Sequence, residues 1–445
     1  MALRISHVIA FCANIPNRRL KTSLFIFLPV IVLGALITSS TINTPFWDEW
    51  GLVPIFQHIN MGHLYFHDFW QQHNEHRLFF PTLVLVGFAY ITHWNIQIEC
   101  FLSLLVATTS FIMLNKVITK DLKSKIKSGS LLLFLLTLIW FSPVQVENWL
   151  WGWQIEWFMN VLGVIMVAFG IALIKDRYVP LINLALILLG GLLAQYSLGN
   201  GTLIWPIVIA TLIYIRVTVI KIVLAVATGV CSTLLYYYHY VNPAEPSITL
   251  AVHEPIMFTE YVLGYLGRPL SFLHKPAMAL GFVLLSVFVA FIVYLFVRQK
   301  TIFRNSLPWV ILGLYAISSA LVTGFARLGL GVSEAYSSRY TTVSSLLLVA
   351  VIMLCWSNRK ALQGLLGNVH KLTMPLMALG IFCLVGIEWG WGIHSAYEQH
   401  IKRETIKSCT SAKQPTDNCL ALTYPNPATV KPRLQYIKSI HWGGY

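Results

Sequence analysis

The chain has 445 residues, 57% of them apolar and only 11% charged, with a formal net charge of +14 and a mean hydropathy of +0.69. A composition this apolar excludes a soluble globular protein and points to several passes through a membrane. The positive charge does not imply a nucleic-acid partner, because Lys and Arg gather in short stretches between apolar runs, where they set orientation.

The first apolar run, 24–42, is as long as a membrane span and follows Arg18, Arg19 and Lys21, so it reads as an uncleaved first helix. Further spans are expected at roughly 96–115, 128–142, 157–174, 179–196, 203–215, 222–239, 276–297, 307–324, 341–357 and 373–391, about eleven in all with the first at 22–42. The basic stretches 116–127, Lys175 with Arg177, Arg216 with Lys221, 298–304 and 359–371 then fall in alternate loops. The positive-inside rule places these loops and the N-terminus in the cytoplasm, and every acid except Asp121 and Asp176 on the other side. Segment 78–93 is apolar but slightly short, contains Pro81, and would push the five-Lys loop outside if counted as a span; it is expected along the outer interface. The expected fold is thus an all-α polytopic bundle over 1–392 with outer interfacial helices. Its outer loops are 43–95, 143–156, 240–275 and 325–340, and a short outer tail follows at 393–445. Cys409 and Cys419 could pair in that tail if it is extracytoplasmic.

Reactive side chains concentrate in the first outer loop. Asp48 and Glu49 follow Pro45 and lie between Trp47 and Trp50, so one of them could act as a general base whose proton affinity is raised by partial burial. A solvated helix end beside an aromatic belt is the plainer alternative. Further on, His63 and His67, then His73, His76 and Arg77, have spacings that place each group on one helical face, with Glu75 between them. Such faces bind phosphate, sugar or metal. A divalent metal is the weaker choice, because His73-Asn74-Glu75-His76 lacks the zinc-helix spacing.

Between the third and fourth spans, Glu147, Trp149, Trp151, Gln154 and Glu156 mix indole faces with amides and carboxylates, a surface suited to the apolar faces and hydroxyl rim of a sugar, or simply to interfacial anchoring. Asn200 lies in a tight outer turn, 195–201, that could pack under such a site. Arg327 and Arg339 sit outside against the charge trend; they could hold a phosphate through charge-assisted bonds, or pair with Glu334. Arg268 and Lys275 are a second possible phosphate contact. Gly329 and Gly331 lack the context of a nucleotide fingerprint.

An outward acid pair after the first helix, a Pro-containing interfacial helix, and then a helix ending in a basic loop together resemble the GT-C class of integral membrane glycosyltransferases. The 'HNEHR' run and 'SSRY' segment also look like the bacterial enzymes that decorate O-antigen or related surface polysaccharide. The resemblance implies a bacterial inner-membrane enzyme with a periplasmic site, a polyprenyl-phosphate sugar as donor, a polysaccharide or lipid-linked glycan as acceptor, and no nucleotide or other cofactor at the site. Asp48, helped by Glu49, would then be the base, Arg327 and Arg339 would meet the leaving phosphate, and Glu147 or Glu156 would stand where many members carry a second acid. The sequence departs from the mannosyl and aminoarabinose branch in lacking a clear Lys-Pro-Pro stretch. An O-antigen polymerase lacks its expected large periplasmic loop here, a transporter or flippase would place charge at mid-membrane, and a purely structural subunit would not need Asp48.

Overall fold

The computed structural model describes residues 18–122, 126–174, 179–241, 248–367 and 370–445. Lys123, Lys125, Lys175, Asp176 and Arg177 of the basic loops lie outside the described residues, as does the stretch 1–17. Among the described residues the fold is all-α without strands, and seven helices are long and apolar enough to cross a membrane.

In chain order the helices are α1 (Arg18–Ser40), α2 (Val53–Asn60), α3 (Phe66–Trp70), α4 (Phe79–Thr92), α5 (Ile96–Leu122), α6 (Ile126–Trp140), α7 (Val146–Leu150), α8 (Ile155–Ala172), α9 (Leu181–Gln195), α10 (Ile204–Tyr214) and α11 (Val219–Tyr237). They continue as α12 (Ile248–His253), α13 (Pro255–Gly267), α14 (His274–Arg298), α15 (Lys300–Asn305), α16 (Leu307–Arg327), α17 (Thr341–Ser357), α18 (Arg359–Leu366), α19 (His370–Thr410), α20 (Asp417–Thr423) and α21 (Pro427–Ser439). Each expected span coincides with one of them, although α1, α6, α9 and α10 offer only short apolar stretches. A helix that is apolar all round must be surrounded by apolar matter. For α17 that matter is protein, since 89% of its most apolar stretch is buried in the bundle. For α11 and α19 the shares are 22% and 17%, so most of their apolar surface faces outward, as a lipid-facing helix requires.

Helix α4 does not run through the bundle. Phe80 N–H donates to Tyr196 O at the end of α9, and at the other end His93 O accepts from Gly443 N–H while Asn43 Oδ1 accepts from Ile96 N–H, 3.0 Å. Both ends of α4 therefore lie at the same end of the bundle, the one bearing Asp48, as a helix laid across that end would. The segment expected as the loop 240–275 contains α13, a thirteen-residue helix packed on α14 and α17. Its apolar residues are interrupted by Thr259, Glu260 and Gly264, which disguised it as loop.

The tail is not a separate appendage, because α19 continues without a break past 392 to Thr410. Cys409 and Cys419 are disulfide-bonded, and α21 docks on the first loop: Arg433 donates to Trp50 O at 2.9 Å, Asn60 donates to the Tyr436 hydroxyl at 2.6 Å, and Trp442 packs edge-on against Phe56 and Tyr90. Closing a loop of this size stabilises by about 3 kcal/mol in the chain-entropy account. The double change Cys409→Ser/Cys419→Ser is expected to lower tail stability by up to about that amount, measured by hydrogen exchange of α20 and α21.

Helices α8 and α9 meet backbone to backbone at Gly163 and Gly190; a Cβ on either would collide with the other's carbonyl oxygen. Small residues permit this close approach in a membrane, where packing and not hydrophobic expulsion joins helices. Gly163→Val is expected to cost about 1–3 kcal/mol, read as a lowered unfolding midpoint in detergent.

Candidate active site

The turn after α1 separates the two adjacent acids. Residues Trp47–Leu52 form a 3-10 turn, in which neighbouring side chains point about 120° apart, so Asp48 and Glu49 cannot share a pocket. Glu49 caps the turn it belongs to: Phe46 N–H donates to its Oε2 at 2.7 Å and Trp153 N–H to its Oε1 at 3.4 Å. Its carboxyl is fully buried beside Gly152, against which the Glu99 carboxyl also packs. Burial, opposed by the Arg403 charge and the backbone hydrogen bonds, raises Glu49 from 4.5 to about 7. A carboxyl that binds its proton more tightly folded than unfolded contributes stability that is full below about pH 4.5 and lost as pH rises through 7. Glu49→Gln is expected to flatten the stability profile between those values, measured by unfolding midpoints across pH.

Asp48 turns the other way. Trp47 beside it holds a left-handed φ of 49°, an uncommon conformation for a bulky residue. His73 Nε2 stands 3.2 Å from Asp48 Oδ1, and the His73 ring leans on Trp153 with centroids 4.9 Å apart. His73 and His76 do not share a helical face, contrary to expectation. They exchange backbone hydrogen bonds of 2.8 Å across a two-residue turn whose Asn74 has φ 49°. Asn tolerates that conformation, and a turn there competes with the helix. His76 Nδ1 accepts from Gly199 N–H at 3.2 Å, which leaves Nε2 to carry the proton of a neutral ring. Burial, with the nearby Arg327, His73 and Arg339 charges, lowers its pKa to about 3. Next to it, Glu75 pairs with Arg327 at 2.5 Å.

The second part of the site is pinned by Glu147. Its Oε2 accepts from Ser337 Oγ at 3.0 Å, Ser338 Oγ at 2.8 Å and Arg339 N–H at 3.2 Å, and Asn148 donates to Arg339 O at 2.8 Å. These bonds fix the 'SSRY' turn, so Arg339 emerges from a braced backbone, paired with Glu334.

Asp48, His73, Glu75, His76, Glu147, Arg327, Glu334 and Arg339 open onto one cavity of about 820 Å³ at the end of the bundle where α1 ends and α8 and α17 begin. Of the expected site residues, Asp48, His73, Glu75, His76, Glu147, Trp151, Gln154, Glu156, Asn200, Arg327 and Arg339 line it. Trp151 donates to Phe46 O at 3.1 Å and Asn200 to Thr323 Oγ1 at 3.1 Å, so both are held in place. Glu156 Oε2 and Gln154 Oε1 are buried acceptors with no partner. Among the described residues no group of three or more His, Cys, Asp or Glu is disposed to hold a metal ion.

Five expected site residues do not reach the cavity. Glu49 is committed to its own turn. Arg77 staples the loops, donating to Tyr236 O at 2.6 Å, Trp70 O at 2.7 Å and Tyr238 O at 2.6 Å. Arg268 is buried against Glu388 at 3.2 Å and Tyr336 O at 2.9 Å, while Lys275 is exposed at the start of α14. Trp149 is fully buried, stacked on Phe158 with centroids 4.4 Å apart. Conversely, Gln399, Lys402 and Arg403 of α19 line the cavity, as do Trp153, Trp157, Tyr237 and Tyr240. Nothing in the polar tail singles out the α19 residues; the 'IKRE' run reads as an ordinary solvated stretch.

No protein-family model, curated protein or solved structure matches the chain.

Proposed function

We propose that this integral membrane protein is a glycosyltransferase of GT-C type that moves a hexose, such as glucose, from a polyprenyl-phosphate donor to a surface-polysaccharide acceptor such as O-antigen, on the periplasmic side of a bacterial inner membrane. The observation that carries the reading is one cavity lined at once by Asp48 and by Arg327 and Arg339, groups from distant parts of the sequence. Its volume of about 820 Å³ falls in the range of small-molecule sites, and its indoles and tyrosines offer faces for a sugar ring.

In this reading an acceptor hydroxyl gives its proton to the Asp48 carboxylate while its oxygen bonds to the anomeric carbon. The bond from that carbon to the phosphate oxygen breaks with inversion, and the electron pair leaves on polyprenyl phosphate. The His73 ring stands 3.2 Å from the Asp48 carboxylate, close enough to share the transferred proton's charge. Arg327 and Arg339, held by Glu75 and Glu334, oppose the charge growing on the leaving phosphate. Neutral His76 and the unpartnered oxygen of Glu156 are free to meet sugar hydroxyls.

The test is reconstitution of the purified protein with a polyprenyl-phosphate hexose and a lipid-linked glycan acceptor. The expected result is release of polyprenyl phosphate in step with glycan elongation by one hexose. A protein that consumes no such donor, with any acceptor tried, would end the proposal.

A further inference from the structure

Among the described residues lining the cavity, four side chains carry a fixed positive charge, and two of them are already neutralised. Arg327 is paired with Glu75 and Arg339 with Glu334. The other two, Lys402 and Arg403, arrive from α19, and neither forms an ion pair with a described acid. Lys402 is exposed at the cavity, but Arg403 is 6% exposed and its Nε has no hydrogen-bond partner. One face of its guanidinium is covered by the Phe46 ring, 3.6 Å from the centroid. The Glu49 carboxylate, the acid it senses, is engaged by the Phe46 and Trp153 backbone N–H groups.

A buried guanidinium with an unfilled donor edge is costly unless an acceptor arrives to fill it. Stacking on Phe46 fixes the plane of the guanidinium, whose buried Nε is left without a partner, and a planar fork of this kind suits an oxyanion. Phe46 lies two residues before Asp48, so an anion held there sits against the same turn as the proposed base.

We infer that Arg403, with Lys402 at the rim, supplies the unpaired charge of an anion subsite that binds a phosphate group, in the same cavity onto which the paired Arg327 and Arg339 open. Only the identification of that phosphate as a lipid-borne one rests on the proposed transferase reading. The subsite explains why the tail helix runs unbroken from its apolar half into the wall of the cavity: it delivers the two cations that the loops leave uncompensated.

The experiment uses the full chain in phosphatidylcholine nanodiscs, titrated with undecaprenyl phosphate and separately with inorganic phosphate, and read by the fluorescence of the cavity tryptophans. Arg403→Gln is expected to weaken undecaprenyl phosphate binding at least about tenfold, the loss of a charged hydrogen-bonding partner, with Arg403→Lys intermediate. Lys413→Gln, which removes one exposed charge remote from the cavity lining, is expected to change nothing. Competition by inorganic phosphate in the wild type and not in Arg403→Gln assigns the recognition to the phosphate itself; binding of the lipid without such competition, yet weakened by Arg403→Gln, assigns it to a lipid-borne phosphate. Equal lipid binding by Arg403→Gln and wild type overturns the subsite, as does a wild type that binds neither probe. If Arg403 serves only as counter-charge to Glu49, adding Glu49→Gln to Arg403→Gln restores binding, which would also overturn it. Phosphate binding that depends on Arg403 without any sugar transfer strikes the transferase reading alone; transfer with binding indifferent to Arg403 strikes the subsite alone.

Discussion

Asp48→Asn is expected to slow sugar transfer by about two to four orders of magnitude while donor binding and the unfolding midpoint stay near those of the wild type. The asparagine fills the same space and can still meet His73, but it cannot take a proton from an acceptor hydroxyl. Asp48 and His73 are both partly open to the cavity, with side-chain exposures of 22% and 29%, so the change leaves no newly buried charge without a partner. The measurement is single-turnover transfer from a polyprenyl-phosphate hexose, with donor affinity determined in parallel. Equal loss of rate and affinity would mean that Asp48 only shapes the pocket. Glu49→Gln offers the contrast: because Glu49 is turned away from the cavity, its effect is expected on the pH dependence of stability and not on the transfer step.

Arg268→Gln is expected to destabilise the protein by about 3–5 kcal/mol without altering donor affinity in the molecules that fold. The pair Arg268–Glu388 is almost sealed, with side-chain exposures of 5% and 2%, and ties the segment after α13 to α19. Glu388 also accepts from Phe272 N–H at 2.8 Å, and Arg268 donates to Tyr336 O at 2.9 Å, so removing the guanidinium strands a buried carboxylate and a buried carbonyl together. Replacing both partners, as Arg268→Met/Glu388→Met, is expected to recover only the part of the loss that comes from the stranded carboxylate, because Tyr336 O and Phe272 N–H still lack partners. Unfolding midpoints of the single and double variants decide this, and a change in donor affinity in Arg268→Gln would return Arg268 to the site. The sequence offers Arg268 only as a second possible phosphate contact; its actual partner is an acid 120 residues away that no local pattern reveals.

The same distinction runs through the whole molecule. Helix existence was legible because each expected span is a continuous apolar run, and in a membrane such a run has one way to satisfy its backbone. That 78–93 forms a helix was legible too, from its unbroken apolar run. The short α13 was hidden by polar residues that break its run, and the turn at His73–His76 was hidden because a spacing of three suits a helix as well as a hairpin.

Residue types and their clustering in the sequence determined that acids, imidazoles, indoles and two outlying arginines gather at one end of a helical bundle. The tertiary structure alone decided which of them meet. A 3-10 turn sends Asp48 and Glu49 in different directions, ion pairs with Glu75 and Glu334 occupy Arg327 and Arg339, and α19 carries Arg403 back to the first loop from the far end of the chain. Composition and periodicity report which face of an element seeks apolar surroundings; the direction of a single side chain depends on backbone dihedrals and on partners hundreds of residues distant, which no local stretch of sequence contains.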